Sequence, residues 1–351
     1  MSDKGQIPRT MSNRYVGAPV PFARTSAFTP CIDFLDTIGT PTDQLLRQAR
    51  IPAGLLDDPE ALVPLFPIYR FMELAARQAH LEDLGVLIAE QTSAFDLGAY
   101  GVALRGASTV YQYLQTGIRL IGTLSSGTKF WLNTEGNIIR VNQYLIGPTG
   151  IGRCIADIYT LVLTINMLRR FVGPAWSPGE VRLMVGDEAL LGDWEVLGNA
   201  SLITGQDHSS FTIAHSLMKN PVLGGGARTA TNKNNSQSGD FSMPVDFVTS
   251  IEQLVVSLLA DGYPGIHVAA ESANMSSRTL QRRLAEAGVT YTGLVTANRI
   301  KLARDWLTES DMPITEIAVT LGYTDVSNFA RAFRRETGIS PHAFRFKVTP
   351  S

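Results

Sequence analysis

Apolar residues in the first two hundred or so positions recur mainly at helical spacing, with a stretch of alternation in the middle. The returns every three or four residues predict helices at Ile32–Ile38, Thr42–Ala49, Ile68–Ala79, Leu84–Thr92, Thr109–Leu124 and Ile151–Phe171. Period-two alternation predicts strands at Lys129–Thr134, Asn137–Tyr144, Val181–Val185 and Ser210–Ala214. The first two strands flank Glu135 and Gly136, which predict the turn of a β-hairpin. We therefore expect an α+β domain with a small antiparallel sheet over residues 31–221.

The pattern changes after this domain. Residues 222–243 are rich in glycine, asparagine and serine and predict a flexible linker. Residues 244–348 are helical throughout, with an opening helix at Asp246–Leu259, a connecting helix at Tyr291–Glu309 and a last short helix after Ser340 and Pro341. Residues 1–30 are polar and broken by proline and glycine, and they predict a disordered tail.

One short pattern occurs twice in the C-terminal part. Each copy has a small residue in a first helix, a turn residue that tolerates a left-handed backbone, and an apolar pair four residues apart in a second helix. These are Ala270, Asn274, Leu280 and Leu284 in the first copy and Ala318, Gly322, Phe329 and Phe333 in the second. The all-α domain is therefore predicted to hold two helix-turn-helix units joined by the connecting helix.

The free face of each second helix carries residue types that can contact DNA. Arginine can donate two hydrogen bonds to guanine, and glutamine can pair with adenine. The predicted base contacts are Arg278, Gln281 and Arg282 in the first copy and Ser327 and Arg331 in the second. The predicted phosphate contacts, which position without specifying sequence, are Arg283, Arg334 and Arg335. Because Ala330 beside Arg331 offers no hydrogen bond, we expect the first copy to supply most base discrimination and the second to lean on the DNA backbone.

Charge alone does not indicate a nucleic-acid partner. The net charge is −2, and from Phe241 onward eleven basic residues balance eleven acidic ones. The arginines could simply solvate two helix faces, but this interpretation leaves the duplication unexplained. A local basic stripe can contact phosphates without a basic domain.

The C-terminal part resembles the DNA-binding domain of the AraC/XylS family of transcription regulators. The resemblance rests on residues 276–284 and on the signature Ile317-Ala318, Leu321-Gly322-Tyr323, Phe329 to Arg335, Gly338 to Pro341 and Phe344-Arg345. It implies two recognition helices in successive major-groove segments, ~34 Å apart on promoter DNA, and activation rather than repression. It also implies RNA polymerase as a partner and is compatible with a homodimer.

The N-terminal part is similar to the corresponding domain of ornithine-utilisation-type members of that family, a domain often labelled arabinose-binding. The similarity rests on element order and on strings such as Phe95 to Gly98 with Tyr100-Gly101. It implies binding of a small-molecule effector whose identity and contacting residues the sequence leaves open. Aromatic residues that could line its pocket, or equally belong to the core, are Trp131, Tyr144, Trp176 and Trp194.

Two other classes of function compete with this interpretation, a DNA-targeted enzyme and a protein-interaction module. An enzyme needs clustered catalytic or metal-binding groups, whereas the five histidines are scattered and the glycine-rich string at 147–153 lacks the end of a P-loop. We therefore predict a non-enzymatic protein with no catalytic residue, metal or cofactor. The two cysteines indicate a reducing compartment, the cytoplasm, and the apolar run Ile155–Leu168 is too short for a membrane span.

Overall fold

The structure, a computed structural model, describes residues 18–184, 194–222, 242–260 and 262–348. Contacts divide these residues into two compact units, with the division between Met243 and Pro244. The N-terminal unit starts at Pro21, and residues 18–20 belong with the C-terminal unit. Of the predicted linker, residues 223–241 lie outside the described part of the chain.

The N-terminal unit is an α+β domain. Its helices are α1 (Thr29–Thr37), α2 (Thr42–Ala49), α3 (Leu65–Ala79), α4 (Leu84–Gln91), α5 (Gly98–Leu104), α6 (Val110–Leu124) and α7 (Ile151–Val172). Its strands are β1 (Phe22–Arg24), β2 (Leu62–Pro64), β3 (Thr128–Glu135), β4 (Ile138–Leu145), β5 (Glu180–Arg182), β6 (Ser201–Ile203) and β7 (Ser209–Ala214). This fold class confirms the one predicted from the hydrophobic pattern.

Five of these strands form one sheet in the order β3-β4-β7-β5-β6, and β1 pairs with β2 separately. The neighbours are antiparallel except for β5 and β6, which are parallel. The predicted hairpin is present: β3 pairs with β4, Glu135 lies opposite Ile138, and Gly136 between them has φ +61°. Glycine adopts this left-handed conformation without a steric penalty.

The long helix α7 forms the centre of the N-terminal core. Two glycines let its neighbours approach closely: a Cβ on Gly152 would lie 1.8 Å from Tyr69 O in α3, and one on Gly85 in α4 would lie 2.5 Å from Ile155 O. The glycine-rich string before α7 is thus a turn and a helix start. Among the described helices, α7 is the one long and apolar enough to suit a membrane, yet 72% of its most apolar window is buried inside the protein. We assign it to the core.

A buried polar group ties α7 to the sheet. The Asp157 carboxylate, fully buried, accepts a 2.8 Å hydrogen bond from Gln143 Nε2 in β4 and another from Ser209 Oγ in β7. Burial raises the pKa of Asp157, and these two hydrogen bonds oppose the shift. The pairing fixes the rotation of α7 against the sheet, because another rotation would leave a buried carboxyl without partners.

The structure corrects the sequence prediction at the start of the chain. The predicted tail to residue 30 is too long, since Phe22 lies in β1 and Phe28 precedes α1, and both side chains are buried. Helix α5 and the three-residue strands β1, β2 and β6 were also not predicted. Strands this short show too little alternation to stand out in sequence. The predicted strand end at Val185 lies outside the described residues.

The C-terminal unit is all-helical, as predicted. Its helices are α8 (Phe247–Leu259), α9 (Ile266–Ser272), α10 (Ser277–Glu286), α11 (Tyr291–Glu309), α12 (Ile314–Thr320), α13 (Val326–Thr337) and α14 (Pro341–Val348). Helix α11 is shared by both halves, because it packs on α8 at one side and on α12, α13 and α14 at the other. Each half of the C-terminal unit therefore packs against the same central helix.

Candidate nucleic-acid interface

The first helix-turn-helix consists of α9 and α10. Ala269 and Ala270 are buried where the two helices cross, and Met275 N closes the turn with a 2.9 Å hydrogen bond to Ala270 O. Asn274 adopts φ +53°, the left-handed conformation that asparagine tolerates better than most residues. Ser276 caps α10 by accepting a hydrogen bond from Thr279 N. The capped N-terminus of α10 is thereby fixed against α9.

The second helix-turn-helix, α12 with α13, repeats this construction. Tyr323 N bonds to Ala318 O at 2.9 Å, and Asp325 caps α13 by accepting from Asn328 N. The turn residue Gly322 has φ +73°, and an added Cβ would lie 2.6 Å from Tyr263 N. Glycine is needed here for both the backbone angle and the close approach of Tyr263.

The buried pairs predicted in the recognition helices α10 and α13 face inward. Leu280, Leu284, Phe329 and Phe333 are all fully buried. The opposite face of each helix is exposed, and it carries all five side chains that the sequence predicts to contact bases: Arg278, Gln281, Arg282, Ser327 and Arg331. Arg334 and Arg335 are exposed on α13 as well. Each helix therefore offers hydrogen-bonding groups on an accessible face.

Two of these arginines lie next to an acidic side chain on their own helix. Arg282 Nη1 lies 3.0 Å from Glu286 Oε1, and Arg335 Nε lies 3.1 Å from Glu336 Oε1. Both pairs are largely exposed to solvent, where such an interaction contributes little to stability. Other hydrogen-bond acceptors can therefore compete for these arginines.

Arg283 does not lie where the sequence predicts. It is 7% exposed, its guanidinium sits 3.5 Å from the centroid of the Phe247 ring, and Nη2 donates a 2.8 Å hydrogen bond to Ala18 O. Burial lowers the pKa of Arg283. We correct the predicted phosphate contact and assign Arg283 to the packing of α10 on α8.

The position of Arg283 in its helix explains this burial. It is seven residues after the cap Ser276, and the matching residue of α13, seven after Asp325, is Ala332. Ala332 packs against the core of its own half. The same position therefore faces inward in both units, and arginine fills it by stacking on an aromatic ring. Sequence reasoning missed this because it treated each arginine as a surface group.

Asn328 is a residue of α13 that sequence reasoning passed over. Its Nδ2 donates to Asp325 Oδ2 at 2.5 Å and to Thr324 Oγ1 at 2.9 Å, and its Oδ1 accepts from Arg331 Nη2 at 2.5 Å. The N-cap thus orients the amide, and the amide in turn orients the Arg331 guanidinium. The spacing of Asn328 and Arg331, one helical turn apart, was the signal available in the sequence.

Arg299 links the two halves of the C-terminal unit. It is 7% exposed on α11, with its guanidinium 3.4 Å from the Tyr323 ring centroid and 5.4 Å from that of Tyr263. Tyr263 precedes α9, and Tyr323 lies in the second turn. Cation–π contacts to both rings hold the second turn against the first half.

None of the four aromatic residues suggested for an effector pocket lines the cavity that the structure shows in the N-terminal unit. Trp194 is buried in the N-terminal core and Trp176 packs against it, as the alternative prediction had it. Trp131 packs on His208, and Tyr144 lies under Arg153. A cavity in this unit is instead lined by other aromatic rings, among them Tyr69, Tyr100, Tyr113 and Tyr159. Tyr100 belongs to a string that carried the family resemblance, and Tyr113 lies on the apolar face of α6.

Within the described residues no group of three or more histidine, cysteine, aspartate or glutamate side chains is placed to hold a metal ion.

Comparison with known proteins agrees with this geometry. The profile of the helix-turn-helix domain matches residues 269–347, which span both helix-turn-helix motifs of the C-terminal unit. The profile described as the arabinose-binding domain of AraC transcription regulator, N-term, matches residues 39–222, more than half of the chain. The chain belongs to the AraC family of transcription regulators. The AraC-type chain is thus a DNA-binding regulator and not an enzyme, since the family is a non-enzymatic class.

Several known proteins are similar to this chain. The HTH-type transcriptional regulator VirS of Mycobacterium tuberculosis is 27% identical over 327 residues, covering 89% of this chain and 93% of that protein. The ornithine utilization regulator of Pseudomonas aeruginosa is 38% identical over 98 residues, which are 28% of this chain and 29% of that protein. A solved structure, the transcriptional regulator CdpR from Pseudomonas aeruginosa, is 22% identical with a TM-score of 0.42, covering 92% of this chain and 98% of that one.

Proposed function

We propose that this AraC-family regulator is a cytoplasmic, effector-responsive activator of transcription that binds promoter DNA with two recognition helices. One observation carries the proposal: α10 and α13 lie in one all-helical unit, each is capped, and each exposes hydrogen-bonding side chains opposite a buried apolar pair. A helix presented in this way suits the major groove. Successive groove segments on one face of the duplex would receive the two helices.

Direct contacts to bases are assigned to Arg278, Gln281 and Arg282 on α10 and to Ser327 and Arg331 on α13. Arginine can pair with the guanine edge and glutamine with adenine, and the orientation of Arg331 by Asn328 supports a defined base contact for the second helix. This strengthens the role of α13 relative to the sequence-based expectation, which rested on the short residues beside Arg331 and on the arginines along the flank of the helix.

Phosphate contacts are assigned to Arg334 and Arg335, both exposed on α13. Counted from the caps, Arg335 matches Glu286 of α10, so the second helix carries a positive charge where the first carries a negative one. This difference supports a division of labour in which the second unit contributes more of the affinity that depends on the DNA backbone.

Effector binding is assigned to the N-terminal unit, which the AraC-type arabinose-binding profile matches. By the same family argument, RNA polymerase is the proposed partner in activation, and a homodimer is the proposed assembly. A ligand can drive activation when it binds one arrangement of the protein more tightly than another.

The base contacts are tested by selecting binding sites from a random duplex library with wild-type protein, Arg282→Ala and Arg331→Ala at one salt concentration. Each variant is expected to lose preference at one base position, with about 1–3 kcal/mol less discrimination there. Arg77→Ala is the matched control, because Arg77 pairs with Glu73 four residues away on α3, as Arg282 pairs with Glu286. Unchanged site preference in both variants, or an equal loss in the control, would contradict the assignment.

A further inference from the structure

The cavity of the N-terminal unit is lined entirely by uncharged side chains. Its volume is about 90 Å³, and its walls come from α3, α5, α6, α7 and the sheet. The lining includes Leu65, Ile68, Met72, Leu124, Phe130 and Leu163, all aliphatic or aromatic. A charged ligand group placed here would lose its hydration and find no counterion among the lining residues.

Three tyrosine hydroxyl groups at the cavity wall have no hydrogen-bond partner within the part of the chain that the structure describes. These belong to Tyr100, 8% exposed, Tyr113, 5% exposed, and Tyr159, 7% exposed. By contrast, Tyr69 donates to Ile146 O at 3.0 Å, and Thr160 donates to Ala156 O at 2.8 Å. Buried hydroxyl groups normally find a partner, so these groups are available to a ligand.

The hydroxyl groups of Tyr100 and Tyr113 are held in place. The Tyr113 ring packs edge-on against Phe171, with centroids 5.1 Å apart, and lies 6.4 Å from the Phe95 centroid. The Tyr100 hydroxyl lies against Gly117 of α6, where an added Cβ would be 3.1 Å away. Burial raises the pKa of both tyrosines, so both groups remain protonated and can donate. They form a pre-arranged pair of donors in an apolar wall.

We infer that this cavity binds an uncharged, largely apolar molecule about the size of one ring, whose carbonyl or similar oxygen accepts hydrogen bonds from Tyr100 and Tyr113. A sugar fits poorly, because its several hydroxyl groups would meet an aliphatic wall with few acceptors. An amino acid fits poorly because both its charges would be buried unpaired. The ligand can be no larger than a single ring, because the cavity, at about 90 Å³, is smaller than an engineered apolar cavity of about 150 Å³ that accepts benzene. That such a ligand is the effector rests on the proposed function.

The test measures binding of two six-membered rings to the full chain by calorimetry, cyclohexanone with an acceptor oxygen and cyclohexene without one. Tyr113→Phe and Tyr100→Phe are each expected to weaken cyclohexanone binding about fivefold, the effect of one lost hydrogen bond, while cyclohexene binding stays within about twofold. Tyr111→Phe is the matched control, because Tyr111 lies on the same helix and is 51% exposed. It should leave both affinities unchanged.

Three results overturn the inference. Equal losses for both rings in the phenylalanine variants would show that the hydroxyls do not contact the oxygen. Tighter binding of cyclohexanecarboxylate, L-arabinose or L-ornithine than of cyclohexanone would show the wrong ligand class. Absence of binding by either neutral ring would show that the cavity is only a packing defect. None of these results bears on DNA binding, which the arginine variants test separately.

Discussion

The two helix-turn-helix units share one layout and fill it with different chemistry. In the first, α10 buries Leu280 and Leu284, and Asn274 makes the turn. In the second, α13 buries two phenylalanines and Gly322 makes the turn. The turn hydrogen bonds are equal in length, 2.9 Å in each. The shared backbone geometry of the two motifs therefore comes from the turn and its hydrogen bond. The side chains that fill each core and the charges on each exposed face differ between the two motifs.

This difference extends to the arginines. Arg283 in the first unit is buried over Phe247, whereas Arg334 and Arg335 in the second are exposed. An arginine in a recognition helix is therefore not in itself a DNA contact. Its position relative to the cap decides whether it faces the solvent or the core.

The largest expected effect comes from the aromatic core of the second unit. Phe333 packs on Phe329 and Phe344, with centroids 5.7 and 5.4 Å apart, so Phe333→Ala should cost about 3–5 kcal/mol of local stability. Leu284→Ala should cost about 2–5 kcal/mol in the first unit. Hydrogen exchange should show the lost protection mainly in α12 and α13 for the first variant and in α9 and α10 for the second. Equal losses in both units for either variant would mean that α11 joins them into one cooperative block.

The second effect concerns the two turns. Gly322→Ala places a Cβ against Tyr263 N in a left-handed conformation, and we expect about 2–4 kcal/mol of destabilisation in a urea titration of the full chain. Gly288→Ala is the control, because Gly288 has φ +74° with open space around it, and it should cost about 1 kcal/mol. Asn274→Gly should change stability by less than either. If the two alanine variants behaved alike, the contact with Tyr263 would not constrain the second turn.

A third effect separates the buried arginine from the exposed ones. Arg283→Ala should lower stability by about 1–2 kcal/mol, because a stacked cation and a hydrogen bond are lost, and leave the salt dependence of DNA binding unchanged. Arg335→Ala should do the reverse, reducing the slope of log affinity against log salt by about 0.9. Binding measured at several salt concentrations, alongside thermal unfolding, distinguishes the two. A flatter slope for Arg283→Ala would return that residue to the phosphate contacts.

The smallest effect concerns the orientation of Arg331. Asn328→Ala removes the amide that accepts from Arg331, and we expect about 0.5–1 kcal/mol less discrimination at the base that we propose Arg331 contacts. Asn328→Asp keeps an acceptor for the Arg331 guanidinium but loses the hydrogen bond to Asp325 Oδ2. It should retain more base discrimination than Asn328→Ala only if the acceptor is what orients Arg331. Site selection with the two variants makes the comparison. The same loss in both would indicate that Arg331 orients itself without Asn328.

Much of the C-terminal unit could be predicted from sequence because its determinants are local. The small residue, the turn residue and the apolar pair lie within about fifteen positions of one another, and they produce the helix-turn-helix wherever the chain places them. The predicted base-contact residues all emerge on the exposed face for the same reason. The burial of Arg283 was not predicted, because its partners, Phe247 and Ala18, are distant in sequence.

The N-terminal unit was less accessible to prediction. Its helices and hairpin follow from periodicity, but β1 pairs with β2 across about forty residues, and neither strand carries a pattern of its own. The tyrosines of the cavity are ordinary apolar positions in sequence. Only the packing of α5, α6 and α7 brings them to the wall of a common cavity.

The sequence by itself determined most of the longer helices and strands, the duplicated helix-turn-helix units and the family, because each depends on periodicity and short-range motifs. The tertiary structure alone decided which arginine is buried, how Asn328 and Arg331 act as a pair, and where an apolar cavity lined by Tyr100 and Tyr113 lies. The physical reason is that burial and hydrogen-bond partners are set by residues that meet only when distant segments pack together.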